Sequence, residues 1–331
     1  MRVSDANDGV YVREALEYFW TSGKFIVRSQ KRGIGMNQNI IRKYRVRLAV
    51  SCSLIFLFSF ICLGCSSQTT ESTGQEKSAT IFKQGENAGD RAEIVIDGAT
   101  YYFRWAPAGS FMMGSSEDEP DRDSSELLHQ VTLTHGFWIL ETETTQKLWK
   151  SVMGDNPSKF VGDSKPVDTV SFQEVQNFLN KLSAASNLPE GARFLLPTEA
   201  QWEYAARAGQ AGALPEGLLE KVAWFGDSED GGTHDVAAKE PNQWGVYDML
   251  GNLWEWTADK IGDFAKDNEG NGVSVVDPTG ATDEETPADI RVDRGGCWDS
   301  HDYECRLAYR GYYDGDRKGP YVGFRFIYIP E

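Results

Sequence analysis

The sequence predicts one large, irregular domain of mixed strands and short helices behind an N-terminal leader. Three observations support this. The 33 glycines and 12% aromatic residues describe a chain that turns often around bulky core side chains. Apolar alternation dominates the first part of the domain, helix caps and apolar helix faces the middle, and turn residues the remainder. No repeat period is visible beyond residue 100, which removes solenoids and propellers. A chain of 331 residues could hold two domains, but this composition favours a leader plus one domain.

The elements follow in order. Folded structure is expected from near Ile94. Alternation over Ala99 to Trp105, then Pro107-Ala108-Gly109 and Phe111-Met112-Met113, predicts a strand, a turn and a second strand. Val131-Thr132-Leu133 and Phe137-Trp138-Ile139 read as short strands. Thr144 or Thr145 can cap a first helix carrying Leu148 and Val152, which Gly154 stops. Ser171 with Glu174 forms a capping box for a second, whose apolar face is Phe172, Val175, Phe178, Leu179 and Leu182. Thr198 with Gln201 opens a third, through Trp202, Ala205 and Ala206, closed by Gly209. Turns are expected to dominate from residue 210 until a terminal strand over Gly323 to Tyr328. There Phe324, Phe326 and Tyr328 alternate with Arg325 and Ile327.

Charge divides the chain. Residues 1–47 carry ten Lys/Arg against four Asp/Glu, a net of +6, so the overall −17 leaves −23 for residues 48–331. Such an acidic body repels phosphate backbones and excludes nucleic acid as a partner. The basic segment 1–47 ends in Arg42, Lys43, Arg45 and Arg47, followed by the apolar run and Gly64-Cys65 boundary of residues 48–65. That order is a secretory signal, and a thiol just past a small residue resembles the lipobox of bacterial lipoproteins. Cys65 is the expected lipidation site, and a start at Met36 gives a leader of ordinary length. An uncleaved anchor helix is the alternative. Residues 66–92, rich in Ser, Thr, Gln, Gly and Glu, read as a flexible tether, and residues 93–331 as the domain. The expectation is an exported bacterial lipoprotein held at the outer membrane or cell envelope.

The most constraining stretch is NQWGVYDMLGNLWEWT, residues 242–257, which reads as a buried, irregular loop. Its tryptophans belong in a core, whereas Gly245, Gly251 and Asn252 keep the backbone turning. Asp248 and Glu255 must then be paired or given to a metal. Structural calcium suits those carboxylates together with the carbonyls of Gly251 and Leu253; arginines satisfying both acids is the alternative.

With these pieces in place, residues 101–328 resemble the formylglycine-generating enzyme family, also called the sulfatase-modifying factor domain. Seven blocks carry the resemblance in the family's order: FRWAPAGSFMMGS, ETETTQKLWKSVMGDNPSKF, PVDTVSFQEVQNFL, RFLLPTEAQWEYAARAG, NQWGVYDMLGNLWEWT, RVDRGGCWD and VGFRF. The resemblance implies an α+β fold with little regular secondary structure and a core related to C-type lectins. It also implies calcium on Asp248, Gly251, Leu253 and Glu255.

In the enzymes of that family two cysteines, four and nine residues after the second glycine of RGG, bind copper(I) and drive oxygen-dependent oxidation of a client cysteine. Here those positions are Ser300 and Cys305, and Cys297 stands where the family usually has serine. A hydroxyl cannot replace a thiolate toward a soft metal. Two readings follow: a non-catalytic module binding a peptide, glycan or envelope protein, or an oxidoreductase with a sulfatase client. The first is preferred because the cysteine pair is not intact; Cys297 and Cys305 are the candidates for the second. In an oxidising compartment these two can form a disulfide, remain inert thiols or hold a soft metal as thiolates. Arg294, Arg306 and Arg310 can read an anionic ligand or pair with structural carboxylates. An iron site of the sulfoxide-synthase kind is disfavoured, since His129, His135, His234 and His301 show no HxxxH spacing.

Overall fold

The computed structural model describes residues 14–21, 24–31, 83–186, 188–226, 231–281, 286 and 288–330. Cys65, the apolar run before it and residues 66–82 of the expected tether lie outside them. The chain divides into two units, residues 1–72 and 73–331. In the first, β1 (Glu14–Thr21) and β2 (Lys24–Lys31) pair as an antiparallel hairpin.

The second unit is α+β. It opens with β3 (Arg91–Ile96), β4 (Ala99–Ala106), β5 (Gly109–Met113), β6 (His129–Leu133) and β7 (Phe137–Leu140). Then come α1 (Gln146–Met153), α2 (Phe172–Ala185), β8 (Arg193–Leu195), α3 (Glu199–Arg207) and the short α4 (Leu219–Val222). The last part holds β9 (Trp254–Lys260), β10 (Val275–Val276), β11 (Ile290–Arg294), β12 (Gly311–Asp314), β13 (Val322–Gly323) and β14 (Ile327–Ile329). The strands form three sheets, ordered β3-β4-β7-β14-β8, β12-β11-β9-β13 and β10-β6-β5.

The helix boundaries follow their caps. Thr145 accepts the Leu148 N–H at the start of α1, and Gly154 ends it with φ +88°. Both capping boxes, Ser171/Glu174 and Thr198/Gln201, are formed. The five apolar residues expected on α2 are its buried face, and Trp149 stacks on Phe178 with ring centroids 5.3 Å apart.

Folded structure begins before Ile94. Trp138 Nε1 donates to the Lys83 carbonyl at 3.0 Å, and the Gly89 N–H to the Trp105 carbonyl at 2.8 Å, so residues 83–90 pack onto the sheet they precede, and Arg91 and Ala92 already belong to its first strand. Turns and irregular backbone dominate from residue 210 to Tyr321 among the described residues, as expected, but strands β9 to β12 lie among them. Trp254–Lys260, whose first residues belonged to the expected loop, is a strand inside a sheet, antiparallel to β11 and parallel to β13. Its first four residues are all buried. A backbone removed from water on both faces must pair its N–H and C=O groups, and a strand covered on both faces shows no alternation.

The terminal strand is also shorter than alternation predicts. It is split into β13 and β14, with Phe324, Arg325 and Phe326 between them. Those three residues and Ile327 and Tyr328 are all buried, because this segment runs between two apolar clusters. Phe324, Phe326 and Tyr328 belong to the cluster around α1 and α2, and Ile327 to the cluster around α3.

Candidate functional site

The 242–257 stretch packs against the segment that follows RGG. Gly251 N–H donates to the Gly295 carbonyl at 2.9 Å, and Trp298 N–H to the Asn252 carbonyl at 2.9 Å. Gly251 has φ +72°, and a Cβ added there would lie 2.2 Å from the Trp224 carbonyl oxygen. Only glycine fits that approach. Two of the expected sites are thereby joined into one region.

Within it, the two acids have separate fates. Glu255 accepts from Arg325 through both oxygens, at 2.7–2.9 Å, and from Trp202 Nε1 at 2.7 Å. Arg325 also donates to the carbonyls of Tyr247 and Asp248, at 2.9 Å each. Asp248 is buried; its Oδ2 accepts the Ala237 N–H at 2.7 Å, and its Oδ1 has no hydrogen-bond partner. Burial pushes its carboxyl up to about 6, against the opposing Ala237 hydrogen bond and Arg325.

A third acid, absent from the expected set, completes the group. Glu143 accepts from Leu253 N–H at 3.0 Å and Asn252 Nδ2 at 2.6 Å. It is held well above the usual carboxylate range by burial, then by the charges of Asp248 and Glu255. Three buried carboxylates thus face one buried guanidinium. Arg325 and Glu143 lie within the quoted VGFRF and ETETT blocks. A lone arginine between two phenylalanines of an apolar terminal run was the available signal for the first. Glu143, 110 residues from Leu253 in sequence, had none.

After RGG, Cys297 and Cys305 are both buried free thiols. Cys297 Sγ lies 3.6 Å from Ser300 Oγ, which accepts the Cys297 N–H at 3.1 Å. Burial pushes the Cys297 thiol up to about 11 and Cys305 higher still. The two belong to different apolar clusters. The region therefore holds two buried thiols and a hydroxyl.

The three arginines expected to read a ligand are bound to protein carboxylates. Arg294, fully buried, pairs with Glu203 and donates to the carbonyls of Leu307, Ala308 and Tyr309. Arg306 pairs with Glu126 and Glu119, and Arg310 grips both Glu199 oxygens at 2.6 and 2.8 Å. The histidines are dispersed: His129 sits against Phe264, His234 stacks on Trp224, and His301 lies against Tyr303. Among the described residues no group of three or more His, Cys, Asp or Glu has metal-binding geometry.

Comparison with known proteins agrees with this architecture. The model of the sulfatase-modifying factor enzyme 1-like domain matches residues 102–328. The chain is 29% identical over 252 residues to the chaperone protein LppX of Paenibacillus barcinonensis, covering 60% of this chain and 81% of that one. It is 27% identical over 280 residues to the formylglycine-generating enzyme of Mus musculus, covering 66% and 73%. Among solved structures it is similar to Treponema denticola variable protein 1, with a TM-score of 0.62 and 27% identity over 72% of this chain and 99% of that one. Seven sequence blocks in order, the three sheets they build and a family model spanning most of the domain place this chain in the sulfatase-modifying factor family, on the fold of the formylglycine-generating enzymes.

Proposed function

We propose that the domain is a non-catalytic module that binds a peptide, glycan or protein partner, tethered to the cell envelope by a lipid on Cys65. The observation that carries this reading is the donor set after Gly296. Copper(I) of the family's oxidoreductases needs a pair of thiolates, and at those two positions the chain carries the Ser300 hydroxyl and the Cys305 thiol, with Cys297 in the other apolar cluster. They do not fit that metal. The relative described as a chaperone supports binding to another protein as a role within the family.

The test is an oxygen-dependent assay on a CxPxR peptide with copper(I) supplied, read by the mass of the peptide. No conversion is expected. Turnover lost in Cys297→Ser or Cys305→Ser would establish the oxidoreductase reading instead. In parallel, alkylation of the native protein should leave the peptide carrying Cys297 and Cys305 unlabelled, and denaturation without reductant should label both.

For the tether, Cys65→Ala should release the protein from membranes. Retention of that variant at wild-type level with unchanged mass would remove the lipid anchor from the proposal.

Calcium is the second part of the reading. A divalent cation at Asp248 Oδ1, with the carbonyls of Gly251 and Leu253, would offset the excess of buried negative charge. Asp248 fits that role with an oxygen to spare. Glu255 fits it less well, because Arg325 and Trp202 already fill its acceptor sites.

A further inference from the structure

A cavity of about 180 Å³ opens between the end of α3, the 210–222 segment that ends in α4, and the start of the 242–257 stretch. Its lining is apolar, with Leu214, Leu218, Val222, Val246, Met249 and Leu307. The polar residues at its base are already bonded within the protein. Arg207 donates to Glu203 at 2.8 Å and to the carbonyls of Gly114 and Gly212 at 2.7 and 3.0 Å. Asn242 donates to the Ala205 carbonyl at 2.8 Å, and its Oδ1 accepts the N–H groups of Trp244 and Val246 at 3.0 and 3.1 Å. A guest in the base of the cavity therefore meets carbon, and it breaks no hydrogen bond by being apolar. Leu214, Leu218 and Val222 are only half-buried, although they belong to or line the cluster around α3. They keep apolar surface that such a guest would remove from water.

The mouth is polar. Glu240 and Gln243 are exposed there, and neither side chain has a hydrogen bond or ion pair among the described residues. A free amide can donate to and accept from a peptide bond, and a free carboxylate only accepts, which favours a cation beside it. The surroundings have the same sign. Glu216 and Glu220 outnumber Lys221 on the 210–222 segment, and Lys239 Nζ donates to the Glu220 carbonyl at 2.6 Å. The −23 carried by residues 48–331 adds a long-range preference for a basic partner.

We propose that this cavity takes the phenyl ring of a phenylalanine in a partner polypeptide, with a neighbouring basic residue set against Glu240. An apolar cavity of about 150 Å³ holds one benzene, so the volume suits a single ring. Sites for whole cofactors or drug-sized ligands are larger, roughly 300–1,000 Å³. An apolar anchor in a pocket with a polar rim is the usual division of labour at a protein interface. The inference rests on the reading of this domain as a binding module and names the chemistry of its partner. Its site is separate from Cys297, Ser300 and Cys305, none of which lines the cavity.

The experiment is a methyl NMR titration of the full-length protein, labelled at leucine and valine. The titrants are the capped peptide Gly-Gly-Phe-Arg-Gly-Gly, its counterparts with alanine for phenylalanine or glutamate for arginine, and toluene. The phenylalanine–arginine peptide should shift the Leu214, Leu218 and Val222 methyls saturably. The alanine peptide should bind about tenfold more weakly, and the glutamate peptide about threefold. Leu214→Trp, which fills the cavity from a surface segment, should cost that peptide about tenfold in affinity. The inference is overturned if the phenylalanine–arginine peptide leaves these methyls unmoved, if the alanine peptide binds as well, or if a folded Leu214→Trp binds unchanged. Toluene shifting them where the peptide does not would make this a site for free hydrocarbons and overturn it too. Equal affinity for the arginine and glutamate peptides overturns the role of Glu240. Where Leu214→Trp fails to fold, the comparison of phenylalanine with alanine on the wild-type protein decides. None of these peptides carries a cysteine, so their failure leaves the binding-module reading standing, whereas turnover of a CxPxR peptide would remove that reading whatever the methyls show.

Discussion

Arg325 sets the electrostatics of the region around Asn252. Its guanidinium grips Glu255 and two loop carbonyls while fully buried, which fixes three chain segments around one charge. That pairing satisfies Glu255 but leaves Asp248 Oδ1 unpartnered beside Glu143. A cation bound only by the folded chain, at about a hundred times its Kd, stabilises by about 2.7 kcal/mol. For a domain of this size that is roughly 5–10 °C in Tm. Chelation should therefore lower Tm by about that amount, and Asp248→Ala should melt alike with calcium and with chelator. Identical wild-type curves in the two buffers would remove calcium from this loop. The placement of Asp248 and Glu255 together was legible from their spacing around Gly251. Which of them has an oxygen to spare was not, because it depends on Arg325, 70 residues from Glu255 in sequence.

Among the elements, α2 shows how local chemistry sets a boundary. Ser171 Oγ accepts the Glu174 N–H at 3.3 Å, and Glu174 Oε2 accepts the Ser171 N–H at 3.0 Å. Ser171→Ala removes one of these bonds and should cost about 1 kcal/mol in urea unfolding, with the slope unchanged. A loss below about 0.3 kcal/mol would mean that tertiary packing alone holds that end. Helices with caps and one apolar face were readable throughout because both signals lie within a few residues of each other. Strands β9 and β11 were not. Trp254–Lys260 places Glu255, Thr257 and Asp259 in buried positions, so its polar residues mimic a loop and its periodicity vanishes. The break between β13 and β14 was hidden for a related reason: every residue from Phe324 to Tyr328 is buried, whichever way it points.

Over the whole molecule, buried acids of two kinds set the response to pH. Burial pushes Asp259 up to about 7 and Asp293 up to about 8, both above their unfolded value. Such groups contribute stability that is complete below about pH 4 and lost as pH rises through the folded values. Glu199 and Glu126 are the opposite case. Burial raises them, but Arg310 and Arg306 respectively outweigh it, so their contribution is present above about pH 4.5 and lost on acidification. Stability in chelator should therefore peak near about pH 5–6 and decline toward pH 8.5, and Asp293→Asn should flatten the alkaline limb. A wild-type Tm that climbs from pH 5.5 to 8.5 would contradict this balance. The segment from Val322 to Ile329 has a further consequence, in the order of events during synthesis. It inserts between β7 and β8, pairs with β9, fills both apolar clusters and carries the counter-charge for Glu255. A nascent chain that stops short of Val322 therefore has a five-stranded sheet without its inner strand and a buried acid without its cation. The pairing of this sheet is complete only once residue 329 has been made, and until then the emerging polypeptide keeps unpaired β7 and β8 edges and uncovered apolar surface.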